Sequence, residues 1–370
     1  MMVTNAAGTA LSNSAVVTLD SGPKITFQPQ AETVRLGSTA LLSVTATGQS
    51  LTYQWMLNGA PIAGAMSATL SIPSAQLASG GNYSVAVSDG VGTVTSTVAS
   101  LSVSTARLIN LSARAFVGPG SDTLIAGFVT GGVSPKELLL RAVGPTLESF
   151  SVANPLADTT LSLTAPGGAV VATDSGWAGT VLLQNAFLQV GAFALPGTSM
   201  DSAILKSLAA GDYTAGVVGT GSETGVALAE VYDADIGTPG SRLINLSARA
   251  FVGTSSNILI AGFVIGGNTP ETVVIRGIGP GLSAFGVSGV LANPVLTLED
   301  SSGRQLAQNS GWGGTTQLTG LFKTVGAFTL DPASSDAAMV VTLPAGSYTV
   351  QLSGASGTTG VGLAEIYEVP

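Results

Sequence analysis

The residues whose types and spacing could do chemistry are arginines and acids that recur at a fixed interval. Six arginines form three pairs separated by 135 positions: Arg107/Arg242, Arg114/Arg249 and Arg141/Arg276. Three acidic positions recur in the same way: Asp201/Asp336, Glu230/Glu365 and Asp233/Glu368. One interpretation is a site that binds a carboxylate or a sugar through the planar guanidinium group. The alternative is structural, because charges inside apolar strands usually need an opposite partner. We favour the structural alternative, in which Arg114 pairs with Glu230 and Arg249 with Glu365.

Trp177 and Trp312 form a second recurring pair, and they are candidate binding residues. They lie in the segments SGWAG and SGWGG, where the flanking glycines would leave one face of each indole open. An exposed tryptophan on a β-sandwich loop can stack on a sugar ring, as aromatic side chains do at interfaces. The alternative is a tryptophan folded back over the end of the sandwich. We favour burial over the end of the sandwich, and polysaccharide binding by Trp177 and Trp312 is the candidate function.

Composition excludes several classes of function. The chain has neither histidine nor cysteine, which removes thiol nucleophiles, histidine bases and the usual zinc ligands. Glycoside hydrolysis needs two close carboxylates, but the recurring acids are scattered among strands and only 5% of residues are aromatic. The acidic turns DPASSD and LEDSSG lack the alternating oxygen ligands of a calcium loop. We therefore expect no enzymatic activity, no cofactor and no metal.

Charge and hydropathy narrow the choice of partners. The net charge of −9 argues against nucleic acid and anionic membranes, both of which require clustered lysine and arginine. No apolar run approaches the roughly 18 residues needed to span a bilayer, so no membrane insertion is expected. Only 9% of residues are charged, and such a surface repels its own copies weakly. Self-association is therefore one of the expected properties.

The spacing of these residues reflects an internal repeat. The string RLINLSARAFVG stands at 107–118 and again, unchanged, at 242–253. Further segments match between the copies, which are assigned to residues 105–235 and 240–370. Each copy consists of short β-rich runs broken by Gly, Pro, Asp and Ser, a pattern typical of a sandwich or barrel. The predicted fold class is all-β, with tandem β-sandwich domains, and the two homologous repeats are sandwich- or jelly-roll-like. The identical first strand indicates a shared inter-domain or inter-subunit contact, although recent duplication would explain it almost as well.

Residues 22–104 differ from the repeats, and they resemble an immunoglobulin-like domain along their whole length. The segment YQW places Trp55 where such domains bury a tryptophan, and GGNYSVAV places Tyr83 at the tyrosine corner. The resemblance implies that Val44 and Val85 occupy the positions of the usual disulfide cysteines. Cysteine-free domains of this kind are similar to the modules of large bacterial surface proteins.

The repeats are similar to β-sandwich modules found near the ends of secreted bacterial proteins. This similarity rests on a short segment, LPAGSYTVQLSG, which resembles part of the domains of the pre-peptidase C-terminal type. The resemblance implies an extracellular, surface-exposed module.

The first residues repeat the end of the immunoglobulin-like domain. VTNAAGTALSNSAVVTL, at 3–19, aligns with VSDGVGTVTSTVASLSV at 87–103. Residues 1–21 are therefore predicted to be an orphan hairpin of the last two immunoglobulin strands. It is either a remnant of a longer protein or a donor strand that inserts into a neighbouring subunit.

The leading functional prediction is a structural subunit of an extracellular fibre or cell-surface stalk that self-associates through its β-sandwich modules. The alternative is an adhesin or carbohydrate-binding module of a larger secreted protein. The predicted partners are further copies of the chain or other cell-surface proteins, with polysaccharide as a further candidate, and the predicted location is extracellular.

Overall fold

The computed structural model describes residues 1–15, 21–221, 223–235 and 241–370. The protein is all-β, with tandem β-sandwich domains, and the chain forms two compact units, Met1–Ser104 and Thr105–Pro370. In these described ranges, no helix has the length and the apolar character that crossing a membrane would require.

In the described residues of the first unit the chain forms twelve short strands. Their bounds are β1 Met2–Asn5, β2 Gly8–Leu11, β3 Lys24–Phe27, β4 Glu32–Arg35, β5 Ala40–Ser43, β6 Thr45–Thr47, β7 Thr52–Leu57, β8 Ala60–Pro61, β9 Thr69–Ile72, β10 Gly81–Ser88, β11 Thr93–Thr95 and β12 Ala99–Ser104. Strands β1 and β2 pair with each other, in a hairpin whose residues are all exposed. This hairpin belongs to the predicted donor segment 1–21, of which residues 16–20 lie outside the described ranges.

The core of the immunoglobulin-like domain surrounds Trp55. This side chain is fully buried, and its Nε1 donates to the carbonyl oxygen of Ser67 at 2.9 Å. Val44 and Val85 are buried in the same apolar cluster, so two valines pack where a disulfide would otherwise cross-link the sheets. The hydroxyl of Tyr83 donates to the carbonyl oxygen four residues earlier at 2.7 Å, which is the geometry of a tyrosine corner.

The described part of the second unit forms sixteen strands and two α-helices. The first copy contributes β13 Arg107–Val117, β14 Leu124–Gly132, β15 Lys136–Val143, β16 Thr160–Thr164, β17 Val170–Asp174, α1 Val181–Val190, β18 Ser202–Leu208, β19 Gly211–Val218 and β20 Gly225–Asp233. The second copy contributes β21 Ser241–Val252, β22 Leu259–Gly266, β23 Glu271–Ile278, β24 Pro294–Asp300, β25 Gln305–Asn309, α2 Thr316–Thr324, β26 Ala337–Leu343, β27 Gly346–Gly354 and β28 Gly360–Glu368. Short 3-10 helices lie at Leu77–Ser79, Gly120–Asp122, Pro145–Phe150, Pro280–Phe285 and Ala355–Gly357.

Each copy folds as two four-stranded sheets in jelly-roll order. In the first copy the sheets run β18-β15-β20-β13 and β17-β16-β19-β14, and in the second they run β26-β23-β28-β21 and β25-β24-β27-β22. The first strand of each copy therefore pairs with the last strand, and the second strand pairs with the last but one. This is the strand order of a jelly roll, in which two Greek keys close into a double sheet.

The two copies join edge to edge in both layers. Strand β13 pairs with β22 of the second copy, and β21 pairs with β14 of the first. The pairing is reciprocal, since Ser112 lies opposite Gly262 and Ser247 lies opposite Gly127. A Cβ on either glycine would collide with the Oγ of the opposite serine, so a larger residue there would force that hydroxyl to move. Pairing also covers four strand edges that would otherwise be open.

The joined sheets enclose one hydrophobic core that contains residues from both copies, including Leu111 and Leu246. Residues 236–240, which lie at the predicted boundary between the two repeats, are outside the described ranges, and both copies fall within the compact unit Thr105–Pro370. The identical string RLINLSARAFV forms β13 and most of β21, the two strands at the joint. Strand β13 pairs with β20 on one side and with β22 on the other. Strand β21 pairs in the same way with β28 and β14. The shared inter-domain contact that the repeated string indicates is thus present between the copies.

A helix layer covers part of the outer face of each double sheet. Helix α1 begins after Thr180, whose Oγ1 accepts from the amide of Leu183, and ends at Gly191 in a left-handed conformation (φ 71°). Its buried side packs with the outer face of β15, β18 and β20 in a second, smaller apolar cluster. Helix α2 makes the equivalent layer in the second copy, beginning after Thr315. The alternating strand pattern of the sequence does not predict these helices.

Candidate functional site

The recurring acid Glu230 lies under the helix layer, paired with Arg141. Its Oε2 lies 2.6 Å from Nη2 and 2.7 Å from Nε of the arginine, and both side chains are buried. The remaining carboxylate oxygen accepts from the hydroxyl of Tyr232 at 2.7 Å. The Nη1 of Arg141 donates to the carbonyl oxygen of Phe193 at 2.6 Å, so the arginine also fixes the loop after α1. The second copy repeats this arrangement with Arg276, Glu365, Tyr367 and Phe328.

These pairs correct the sequence interpretation, which assigned Glu230 to Arg114 and Glu365 to Arg249. Strand register decides the partner. Arg141 lies directly opposite Glu230 in the β15–β20 pair, whereas Arg114 lies opposite Leu228 in the β13–β20 pair. Directly opposite side chains are closer than diagonal neighbours, so Arg141 takes the carboxylate.

The buried tyrosines of these clusters are held neutral. Burial, with a further contribution from the charge of Glu230, raises the pKa of Tyr232 well above the usual tyrosine range, and Arg141 opposes this shift. Burial and the charge of Glu365 raise the pKa of Tyr367 in the same way. Hydroxyls that stay protonated across the physiological range serve here as hydrogen-bond donors.

The structure buries Trp177 and Trp312, which agrees with the favoured interpretation and contradicts their candidate role in binding polysaccharide. Trp177 is only 2% exposed, its ring packs on Phe187, and its Nε1 donates to the carbonyl oxygen of Pro196 at 3.0 Å. Trp312 is equally buried, and its Nε1 donates to the carbonyl oxygen of Asp331 at 3.1 Å. Both indoles lie inside the helix layer, where no sugar ring can reach their faces.

The recurring pair Asp201/Asp336 organises a turn. Oδ1 of Asp201 accepts from the amide of Gly144 at 2.8 Å, and Oδ1 of Asp336 accepts from the amide of Gly279 at 2.7 Å. Each carboxylate is fully buried and holds the entry to a 3-10 helix, Pro145–Phe150 in the first copy. Through this helix the carboxylate positions the exposed phenylalanine that ends it.

Arg114 and Arg249 have no partner in the part of the chain that the structure describes. They lie on the outer faces of β13 and β21, because the alternate residues of both strands point into the shared core. Among the residues that the structure describes, neither guanidinium forms a hydrogen bond or an ion pair. In Arg249 the Nε atom is buried as well as unpaired.

Each of these arginines lies in an open groove where the helix layer ends and the sheet continues into the other copy. The Arg114 groove has a volume of about 330 Å³ and the Arg249 groove about 370 Å³. Ten positions line each groove, and they correspond one to one between the copies. Residues from both copies contribute to each groove, so neither copy could form the site alone. The Arg114 groove takes Ser112 and Leu228 from the first copy and Ile260, Gly262 and Thr349 from the second.

An aromatic pair forms one wall of each groove. Phe150 packs edge-on against Phe193 with ring centroids 4.9 Å apart, and it remains 55% exposed. Phe285 and Phe328 repeat this contact at 4.8 Å, with Phe285 60% exposed. The other face of Phe193 is occupied by the guanidinium of Arg141, 4.4 Å from the ring centroid. The buried ion pair thus supports the wall of the groove.

The lining residues define what the grooves can do. Each combines one guanidinium, a serine and a threonine with an otherwise apolar surface, and no acidic residue lines either groove. Across the described ranges, no cluster of three His, Cys, Asp or Glu residues could hold a metal ion. The arrangement is suited to binding an anionic group that carries an apolar substituent.

Comparison with known proteins finds similarity to immunoglobulin domains. A family model described as an immunoglobulin domain matches residues 22–89, which confirms the immunoglobulin-like domain. Among solved structures, a chimeric titin Z1Z2 carrying a decorin peptide is 29% identical over 23% of this chain and 97% of its own, with a TM-score of 0.21. The N-terminal four immunoglobulin domains of Dscam1 isoform 1.9 are 26% identical over 28% of this chain and 26% of their own, with a TM-score of 0.24. Extracellular domains 3–5 of Drosophila OTK are 19% identical over 28% of this chain and 38% of their own, with a TM-score of 0.22. No curated protein matches the sequence.

Proposed function

We propose that the protein is a non-enzymatic binding module of an extracellular or cell-surface protein, and that unit Thr105–Pro370 binds its partner in the two grooves. One observation carries this proposal: the same ten positions form an open groove in both copies, each around an arginine that has no partner among the described residues. A charge within an apolar lining costs stability unless something pairs it. Keeping two such charges is therefore explained better by a ligand than by folding.

The two grooves open on opposite faces of the unit. Arg114 lies on the outer face of one layer, in β13, and Arg249 on the outer face of the other layer, in β21, and the inner faces of the two layers share one core. A module with equivalent sites on opposite faces can link two partner molecules, and paired binding raises the effective affinity for a surface that displays many copies. This supports an adhesive role. The carbohydrate-binding form of the proposal loses its basis, because Trp177 and Trp312 are buried.

The exposed hairpin β1–β2 favours a second candidate, a structural subunit of an extracellular fibre or cell-surface stalk. Its apolar residues Met2, Val3 and Leu11 all lie at the surface, and an exposed hairpin of this kind can pair with a neighbouring chain. Negative-stain microscopy and light scattering on the protein, beside a variant lacking residues 1–20, test this candidate. Filaments that disappear on deletion would support it, and two identical monomers would exclude strand donation.

Methyl-detected NMR tests the binding module directly. Ile260 lies opposite Arg114 in the Arg114 groove, and Ile125 lies opposite Arg249 in the Arg249 groove. A library of small anionic, neutral and cationic fragments should shift these two methyl groups and leave the core methyl groups of Ile275 and Ile366 in place. If no fragment shifts Ile125 or Ile260, or if all shifts cluster elsewhere, the proposal is wrong.

A further inference from the structure

We infer that each groove binds a protein partner through a peptide segment that carries one carboxylate beside a bulky apolar side chain. The inference rests on the proposed function of the grooves and specifies the ligand that they accept.

The charge of the groove points to a single carboxylate. Each groove holds one guanidinium, and the neighbouring acid Glu230 is already bound by Arg141 on its other side. Among the described residues neither guanidinium has an acceptor, and a carboxylate that enters the groove can bond two guanidinium nitrogens in parallel. The planar guanidinium of arginine can bond both oxygens of a carboxylate at once, whereas the ammonium of lysine acts as a point charge.

The walls point to an apolar neighbour of that carboxylate. Phe150 is more than half exposed although it packs on Phe193, and Leu147 and Val152 extend the same apolar surface. The volume of about 330 Å³ lies near the lower end of the range of small-ligand sites, roughly 300–1,000 Å³. It suits one or two side chains better than an extended polymer.

The hydroxyl groups point to a peptide main chain. Ser112, Gly262 and Thr349 lie side by side on three neighbouring strands, so two hydroxyls flank a glycine without a side chain. A hydroxyl both donates and accepts, which suits the alternating N–H and C=O groups of a peptide. The equivalent row in the other groove is Ser247, Gly127 and Thr214.

Other anions fit the grooves less well. A phosphate dianion would leave one of its charges uncompensated beside apolar walls, because a single guanidinium lies within reach. A polyuronide carries a charge on every sugar, and the net charge of −9 would repel it along its length. A lone carboxylate on an apolar peptide meets neither obstacle.

The test compares two ligands that differ only in charge. Acetyl-leucyl-phenylalanine with a free carboxylate and its C-terminal amide are titrated into the whole protein, with the methyl groups of Ile260 and Ile125 as reporters. We expect the acid to bind both grooves about tenfold more tightly than the amide, because hydrogen bonds between charged groups are stronger than neutral ones. Equal affinity of acid and amide would overturn the inference and leave the proposed binding function standing. No response to either peptide, with a response to other fragments, would also overturn it.

Matched variants assign the effect to the arginines. Arg114→Gln should remove the preference for the acid at Ile260 and retain it at Ile125, and Arg249→Gln should do the reverse. Arg304→Gln is the control, because this arginine is 73% exposed and lines neither groove. Arg114→Lys keeps the charge without the planar geometry, so part of the preference should return. If the protein with both Arg114→Gln and Arg249→Gln still prefers the acid to the amide, the assignment is wrong. Tighter binding of inorganic phosphate or galacturonic acid than of the peptide acid would also refute it.

Discussion

Replacing Arg276 with methionine should destabilise unit Thr105–Pro370 severely. The guanidinium makes two contacts to Oε2 of Glu365, at 2.7 and 2.8 Å, and a hydrogen bond to the carbonyl oxygen of Phe328 at 2.6 Å. Methionine is shorter than arginine but similar in volume and can pack between the surrounding rings, so loss of volume contributes little. What remains is a buried carboxylate whose Oε2 has lost both partners and whose Oε1 keeps only the hydroxyl of Tyr367 at 2.8 Å.

The expected loss in the free energy of unfolding is about 3–5 kcal/mol, the range for removing one partner of a buried ion pair. Adding Glu365→Gln removes the unpaired charge and should recover part of this loss. The double variant should therefore be more stable than the sum of the two single changes predicts, by more than about 1 kcal/mol. Arg141→Met in the first copy should cost about as much, because its geometry is the same within about 0.1 Å.

Urea unfolding at neutral pH measures these differences. In a Trp55→Phe background the remaining tryptophans, Trp177 and Trp312, both belong to unit Thr105–Pro370 and report on it alone. Arg304→Met, at an exposed surface pair, is the control and should change stability by less than about 0.5 kcal/mol. Additive losses in the double variant, or equal losses for Arg276→Met and Arg304→Met, would refute the assignment of a stabilising buried pair.

Three further outcomes follow from the geometry. Trp312→Ala should cost about 3–5 kcal/mol of stability, as for other buried tryptophans, and leave any polysaccharide binding of the folded protein unchanged in a retention assay. Because the pKa values of Tyr232 and Tyr367 are raised in the folded state, the stability they contribute is fully present below about pH 10 and is lost as the pH rises further. Ultraviolet titration should therefore show these two phenols ionising only with unfolding, and early ionisation of either would contradict their burial. Tyr83→Phe should lower the stability of the immunoglobulin-like domain by about 1 kcal/mol in calorimetry, with no effect on the second unit.

The sequence was sufficient for features that depend on local pattern. Alternating apolar residues and turn-forming residues predict an all-β chain, and the segments around Trp55 and Tyr83 predict the immunoglobulin-like domain. The sequence contains one further local signal that was missed. Tyr348 donates to the carbonyl oxygen of Pro344 at 2.8 Å, the same four-residue reach as in the tyrosine corner of the first unit. Tyr213 makes this contact in the first copy at 3.2 Å, so LPAGSYT and LAAGDYT are corner motifs.

The sequence could not predict which acid each arginine pairs with. Arg114 and Arg141 both lie in apolar strands, and either could have met Glu230. Only the register of β15 and β13 against β20 places Arg141 directly opposite the acid and Arg114 two residues away. The exposure of Trp177 was equally undecided, because its burial depends on the helix that packs over the outer face of the sheet.

The sequence by itself determined the all-β class and the repetition of the module, since strand periodicity, turns and repetition are properties of neighbouring residues. It also marked RLINLSARAFVG as a candidate contact, with recent duplication as the other explanation. The tertiary structure alone decided that this contact joins the two copies and forms both grooves across the joint. The physical reason is that strand pairing between distant segments depends on which edges and faces are left open after each sandwich has closed, and this is a property of the assembled sheets.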